Sequence, residues 1–571
     1  MGPLAPPNGG CFLGIRALLY IALKGYHISM RKAYKPNAAM AASTAAIFIF
    51  SASIILPCKT SAAGAAYQAL SSQAKAAKVP EPAGPRPAEP AGAKANKMLF
   101  AREAAIIAMS DAQFAAASPD QKVDMLKTLI GRSAPNQQNG DGGPDRDQED
   151  LEQAIIRILA SAPDAASFDR VYYRLDLRKL NSAVTAQSRI KELVERARNS
   201  VVPGDWDGLR RYVDTVTETS HSGRNLVKFL IDGREFLPEV KPALKAANSS
   251  IHIEIFHLQP DNVSRDLANI LVERAKAGVT VRFLIDEHGS KVEHDPEIVK
   301  LIDLMRAGGI EVIVKEPPSI KDHLDHRKIL VMDGKVGFTG GMNIGKDYQE
   351  NWHDQQTLIQ GPAVAKLQEA FLERWKAAGG RIAASEALFP PLPEYQDGAV
   401  TQVVGHIGKA DQNIKAMYLR AIGTAQKSIR IATPYFTDKD VVKALCRAGE
   451  RGVKVQLVFP KENNIPIVQN AARSFYPRLL KAGVEIYEYK DRMAHLKVAV
   501  IDGVWATFGS SNLDARSLKN NDELNLIVTD PGVAGDIERR LFDVDITKSD
   551  RITNYKPGFM DHVAHPFGGL L

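Results

Sequence analysis

Two stretches decide the fold: residues 326–333, HRKILVMD, and residues 495–502, HLKVAVID. Both spell H-x-K-x-x-x-x-D, and their surroundings stay in step. Gly340 and Gly509 each follow the histidine by 14 positions, Asn343 and Asn512 by 17, and Asp354 and Glu523 by 28, without a gap. One such motif is a weak signal, whereas two in register over this length mark an internal duplication. Residues two apart in a strand share a face, so each His–Lys pair reaches one pocket. Ile329 and Val331, like Val498 and Val500, are apolar, as a buried strand requires.

Outward from the motifs, short β-rich runs alternate with helical ones. SIHIEIF, LANILVERAKAG, VTVRFLID, GIEVIV and RKILVMD follow one another from about residue 250. SIRIATPYF, VVKALCRAGERG, VKVQLVFP, GVEIYEYK and LKVAVID repeat that order from 428. The alternation predicts an α/β fold built from βαβ units, in two similar halves. If the halves pair about a pseudo-twofold axis, two His, two Lys and two Asn meet at one place. Lysines, asparagines and turn amides are what a phosphoryl group requires, because charge on its oxygens must be stabilised in the transition state. Two histidines supply a nucleophile and a general acid near neutral pH. The scheme calls for no metal and no cofactor.

The paired motifs, each followed by G-x-x-N, resemble the phospholipase D superfamily. LIDGREFLPEVKPALKAANSSIHIEIF, HRKILVMDGKVGFTGGMNIG, IQGPAVAKLQEAFLERW, IATPYF and GSSNLDARSLKNNDELNL resemble one branch of it, the bacterial cardiolipin synthases. The resemblance spans roughly 225 to 550. It implies two phospholipase D-like α/β/α sandwich halves across one active site, preceded by a small helical segment. It also implies phosphatidyl transfer by two displacements through a phosphohistidine. His326 is then the nucleophile and His495 the leaving-group acid. Lys328, Lys497, Asn343 and Asn512, with the turn residues Gly341 and Ser510, hold the phosphate. Asp333 and Asp502 complete the catalytic motifs, and Asp354 and Glu523 support them. The implied partners are a phospholipid, phosphatidylglycerol or a related one, and a membrane surface. A hydrolytic phospholipase D is the alternative, since water could resolve the same intermediate, and a nuclease is a more distant one.

The remaining sequence bounds this reading. The chain has 571 residues, 45% hydrophobic and 24% charged, which is ordinary globular composition for several domains. A net charge of +7 suits an anionic partner, but it is diffuse, and no Lys/Arg run flanks either motif as a nucleic-acid groove would need. Three cysteines, Cys11, Cys58 and Cys446, exclude a disulfide framework and a cysteine zinc site. Residues 36–58 are uncharged and follow Arg31, Lys32 and Lys35, the layout of an export signal or a single membrane anchor. Either one places the protein in the cell envelope. The expected domains are a targeting segment at 1–66, an Ala/Pro-rich linker at 67–96, a helical accessory segment at 97–200, and phospholipase D-like domains at 201–399 and 400–571. NQQNGDGGPDRDQED, 136–150, reads as a loop within the helical segment.

Other features carry weaker signals. His323 and His326 are three apart, a spacing that suits metal ligands on a helix, but the alternation around them is strand-like. Gly340 to Lys346 imitates a phosphate-binding loop but continues into Asp347, without the hydroxyl that holds magnesium. Asp286-Glu287-His288 reads as a solvated charged loop, Tyr435 and Phe436 as core, and Cys446 as a small buried residue.

Overall fold

The computed structural model describes residues 102–132, 146–175, 180, 187–316, 324–408 and 411–569. The expected targeting segment and linker, and His323, lie outside these residues. Among the described residues no helix is long and apolar enough to cross a membrane.

Each predicted apolar run becomes a strand, and together they make one fifteen-stranded sheet. The first half contributes β1 (Ser222–Ile231), β2 (Ser250–Ile255), β3 (Thr280–Asp286), β4 (Glu311–Lys315), β5 (Ile329–Met332), β6 (Val336–Gly340) and β7 (Gln355–Gln360). The second contributes β8 (Ala399–Ile407), β9 (Ser428–Ala432), β10 (Lys454–Pro460), β11 (Glu485–Tyr489), β12 (Val498–Ile501), β13 (Trp505–Gly509), β14 (Asp522–Thr529) and β15 (Ser549–Ile552). β1 and β8 pair antiparallel at the centre. Outward from them the order is β1-β7-β6-β5-β2-β3-β4 on one side and β8-β14-β13-β12-β9-β10-β11 on the other, with β15 added at the edge. Corresponding strands therefore stand at equal distances from the centre, as a pseudo-twofold axis between β1 and β8 demands.

Helices cover the sheet and close the core. Asp261, Asp295 and Asp438 cap helices Asn262–Lys276, Pro296–Ala307 and Lys439–Glu450 through their side chains, each worth about 1 kcal/mol. One apolar core is shared by both halves: Phe229 meets Phe508 edge-on at 5.3 Å, and helix Ala363–Ala377 packs in the same cluster as Ile537 and Phe542. The halves are thus fused through a hydrophobic centre.

The helical segment has its own core, with Phe114, Leu126, Ile155, Ile158 and Leu180 fully buried. Helix Trp206–Thr217, although it precedes β1, packs into the second half beside Met417 and Ile422. Within the expected loop 136–150, residues from Arg146 onward are helical and open helix Arg146–Ala160. Glu149 and Asp150 suit the start of a helix better than a loop, because acids there complement the helix dipole. Cys446 is buried, as expected.

Candidate active site

Neither motif histidine lies in a ladder. β5 and β12 begin at Ile329 and Val498, so His326 and Lys328, like His495 and Lys497, occupy extended lead-ins just before their strands. What fixes these lead-ins is the opposite half. The N–H of His326 donates to the Asp522 carbonyl at 2.9 Å, and that of His495 donates to the His353 carbonyl at 2.7 Å. The imidazoles are held in the same crossed way. His326 Nδ1 lies 3.0 Å from both Glu523 carboxylate oxygens, and His495 Nδ1 lies 2.7 Å from Asp354 Oδ2. An ionised carboxylate only accepts, so each Nδ1 carries the proton and each Nε2 keeps its lone pair.

Lys328 and Lys497 are wholly buried, at 0% and 1% exposure. Lys497 Nζ sits 2.9 and 3.0 Å from the two ring nitrogens of His495. Lys328 Nζ donates to the His326 carbonyl and stands 5.2 Å over the Phe256 ring, which meets His326 edge-on. Burial lowers the Lys328 ammonium to about 7, against the pull of Glu523, and lowers Lys497 to about 8, against Asp354 and Glu523. Burial first, then the lysine charges, hold His326 down at about 4 and His495 at about 3. Although burial pushes it up, Glu523 stays at about 2 because His326 and Lys328 adjoin it. Two neutral imidazoles thus face a pocket whose two ammonium groups are matched by two carboxylates.

The other expected residues divide. Asn343 and Asn512 are buried near the strand ends. Asn343 Oδ1 accepts the His257 N–H at 3.0 Å, and Asn512 Nδ2 donates to Ser517 at 3.3 Å. The Asn512 Oδ1 is buried without a hydrogen-bond partner among the described residues. The expected phosphate role of Gly341 and Ser510 needs correction, because their amides are spent on the Gln355 and Leu524 carbonyls at 3.0 and 2.9 Å. Both residues serve the acids instead. A Cβ on Gly341 would come within 2.3 Å of Asp354 Oδ1, whereas the Ser510 hydroxyl donates to Glu523 Oε2 at 2.5 Å.

Asp333 and Asp502 lie at the far ends of β5 and β12, about 20 Å of extended chain from their histidines. Their expected catalytic placement is therefore corrected as well. Each sits at φ 54° in the hairpin turn and gathers backbone N–H groups: Asn248, Ser249 and Ser250 on Asp333, and Gln426, Lys427 and Ser428 on Asp502, at 2.7–3.1 Å. Aspartate suits this position because its short side chain tolerates left-handed φ and bonds nearby amides. The motif Asp is a clamp between β5 and β2, or β12 and β9.

Several residues beneath the histidines escaped the motif reading. Below His326, Asp522 binds Arg374 and Lys315 at 2.7 and 3.1 Å, and Arg327 grips Glu254 at 2.7 and 3.0 Å. Below His495, the counterpart is His353, held by Asp232 at 2.7 Å and Asp545 at 3.0 Å. Burial disfavours its charge, but these carboxylates hold the imidazole up at about 9. Asp286, expected in solvent, is buried instead and accepts the Asp325 N–H at 2.9 Å. Phe436 is core, but Tyr435 faces His495 at 6.2 Å, joining Tyr348 and Trp352 at 5.7 and 5.1 Å. The one available signal was adjacency: Asp522 and His353 immediately precede the two supporting acids.

A family model described as cardiolipin synthase, PLD-like domain, matches residues 240–375 and 418–544. The probable cardiolipin synthase YwiE of Bacillus subtilis is 30% identical over 403 residues, covering 67% of this chain and 80% of its own. The cardiolipin synthase of Geobacillus kaustophilus is 38% identical over 312 residues, 52% of this chain and 61% of its own. Among solved structures, the phosphatidylserine synthase of Haemophilus influenzae superposes with a TM-score of 0.51 at 14% identity, over 63% of this chain and 97% of its own, a likeness of fold. The chain belongs to the phospholipase D superfamily, in its cardiolipin synthase-like branch.

Proposed function

We propose, from the premise that the chain is a cardiolipin synthase-like member of that superfamily, that it is a phosphatidyltransferase acting on phosphatidylglycerol or a related lipid at a membrane surface. The observation that carries this reading is the crossed pair of imidazoles, each oriented through Nδ1 by an acid of the other half.

In the first displacement, His326 Nε2 attacks phosphorus and the bond to the glycerol headgroup breaks. His495 gives its proton to the departing oxygen. Lys328 and Lys497 balance charge on the phosphoryl oxygens as it grows. The incoming phosphodiester anion raises the pKa of His495, because a negative charge beside an imidazole favours its protonated form. In the second displacement, His495 Nε2 takes the proton from the hydroxyl of an acceptor lipid. That oxygen attacks phosphorus, and the bond to His326 breaks. Glu523 and Asp354 hold both rings in the reactive tautomer throughout. The aromatic wall of Tyr348, Trp352 and Tyr435 beside His495 supports transfer over hydrolysis, since it favours a lipid alcohol over water.

Purified protein incubated with phosphatidylglycerol vesicles tests the proposal, with His326→Ala beside it. Cardiolipin and glycerol are expected, and neither from the variant. Phosphatidic acid in their place would move the activity to hydrolysis, and no lipid turnover would overturn it.

A further inference from the structure

A cleft of about 410 Å³ lies between the helical segment and the second half, and the proposed reaction uses none of it. One side comes from helix Gln187–Asn199 and helix Trp206–Thr217, the other from helices Asn413–Thr424 and Lys439–Glu450. Four guanidiniums line it: Arg198 on the first side, and Arg420, Arg447 and Arg451 on the second. The lining carboxylates are Asp169 and Glu450.

These arginines are unequally committed. Arg420 lies 4.7 Å over the Tyr212 ring and donates to Ser200 Oγ at 3.0 Å. Arg198 pairs with Glu195 at 3.2 Å and with Asp440 at 3.7 Å. Arg451 spends one nitrogen on the carbonyls of Ile422, Gly423 and Ala425. The Arg447 side chain has no hydrogen bond or ion pair with any described residue. It stands one helical turn before Arg451, and burial together with this like charge lowers the Arg451 pKa. Like charges four apart on a helix repel, so an anion between them would be stabilising. Asp169 does not meet this need, because its carboxylate accepts the Tyr212 hydroxyl at 2.6 Å and its charge acts on Arg420 and Arg198, not on Arg447 and Arg451.

A surplus of cations in a cleft focuses positive potential, and planar guanidiniums match the paired oxygens of a phosphate. Val201, Pro203 and Leu419 add apolar wall beside the charge, where a short carbon body fits. We propose that this cleft is a second anion site, which takes the phosphate of a glycerophosphate group and ties the helical segment to the second half. The group arrives as a lipid headgroup or as free glycerol phosphate, which present the same chemistry.

The test uses full-length protein and needs no turnover, so its failure is distinguishable from failure of the phosphatidyltransferase reading. Glycerol 3-phosphate is titrated by calorimetry into wild type and into Arg447→Gln/Arg451→Gln. Two sites are expected in wild type, and one of them at least tenfold weaker in the variant. Hydrogen exchange in residues 187–217 should slow on binding in wild type alone. Protection by phosphatidylglycerol vesicles without protection by soluble glycerol phosphate would assign the lipid source, and the converse the free one. Equal stoichiometry, affinity and protection in both proteins would overturn the proposal. Should the double variant fold poorly, Arg447→Gln alone decides, since that side chain makes no hydrogen bond or ion pair with a described residue: unchanged affinity in it overturns the site.

Discussion

His326 Nδ1 stands 3.0 Å from the carboxylate of Glu523, a residue 197 positions away in the other half. The backbone N–H of the same histidine is bound by Asp522, so ring and chain are positioned by one neighbouring strand. His495 stands in the same relation to Asp354 and His353. Neither half contains a complete reactive group.

Glu523→Gln should therefore impair chemistry more than binding. The amide can present a donor to Nδ1, which moves the proton to Nε2 and removes the nucleophilic lone pair. A loss in kcat of roughly 10²–10⁴ is expected, with KM changed little, as when the carboxylate behind a catalytic histidine is neutralised. Steady-state kinetics checks this; a variant with wild-type kcat would show that Glu523 does not set the tautomer.

Activity should follow a bell against pH. Protonation of His326, at about 4, removes the nucleophile on the acid side. Deprotonation of Lys328 and Lys497, at about 7 and 8, removes phosphate-binding charge on the alkaline side. In kcat/KM, which reports the free enzyme, the alkaline limb should begin between pH 7 and 8. Lys328→Arg, whose charge persists, should shift that limb upward in whatever activity survives. A profile flat from pH 6 to 10 would contradict this assignment.

Asp333→Ala and Asp502→Ala should cost stability and not chemistry. Each leaves three backbone N–H groups without their acceptor and puts alanine at φ 54°, together about 1–3 kcal/mol. Denaturant melts should show the loss, while kcat of the folded fraction stays near wild type. A collapse of kcat at full stability would return these residues to the active site.

The architecture, and which residues gather at the candidate site, were legible because the duplication repeats both in register. Two histidines, two lysines and the acids at a spacing of 28 were all readable without coordinates. The Asp333 and Asp502 roles were not, because a motif records that a residue recurs without saying whether it serves chemistry or a turn. Nor were the partnerships of Arg374, Asp232 and Asp545, because a stretch that resembles a family does not say which distant element each side chain will meet. Strand alternation also misplaced the motif by a few residues: His326 and Lys328 are extended but lie outside the ladder, where the chain crosses toward the other half.

Buried His353 should make the junction of the halves alkali-sensitive. Its folded pKa, at about 9, lies above the ordinary 6.5. The stabilisation is therefore full below about pH 6.5 and is lost as pH rises through 9. Melting temperature should fall across that window, and His353→Gln should flatten the fall. An unchanged slope in the variant would place the sensitivity elsewhere.

The most direct measurement is mass spectrometry of protein quenched in alkaline denaturant, which preserves a phosphohistidine bond, during turnover of phosphatidylglycerol, with peptides mapped for a phosphatidyl adduct. The adduct is expected on His326, and a larger amount of it in His495→Ala when the lipid carries a leaving group that needs no proton. An adduct on His495 would reverse the roles of the two halves. Rapid turnover without any histidine adduct would contradict the two-displacement mechanism itself.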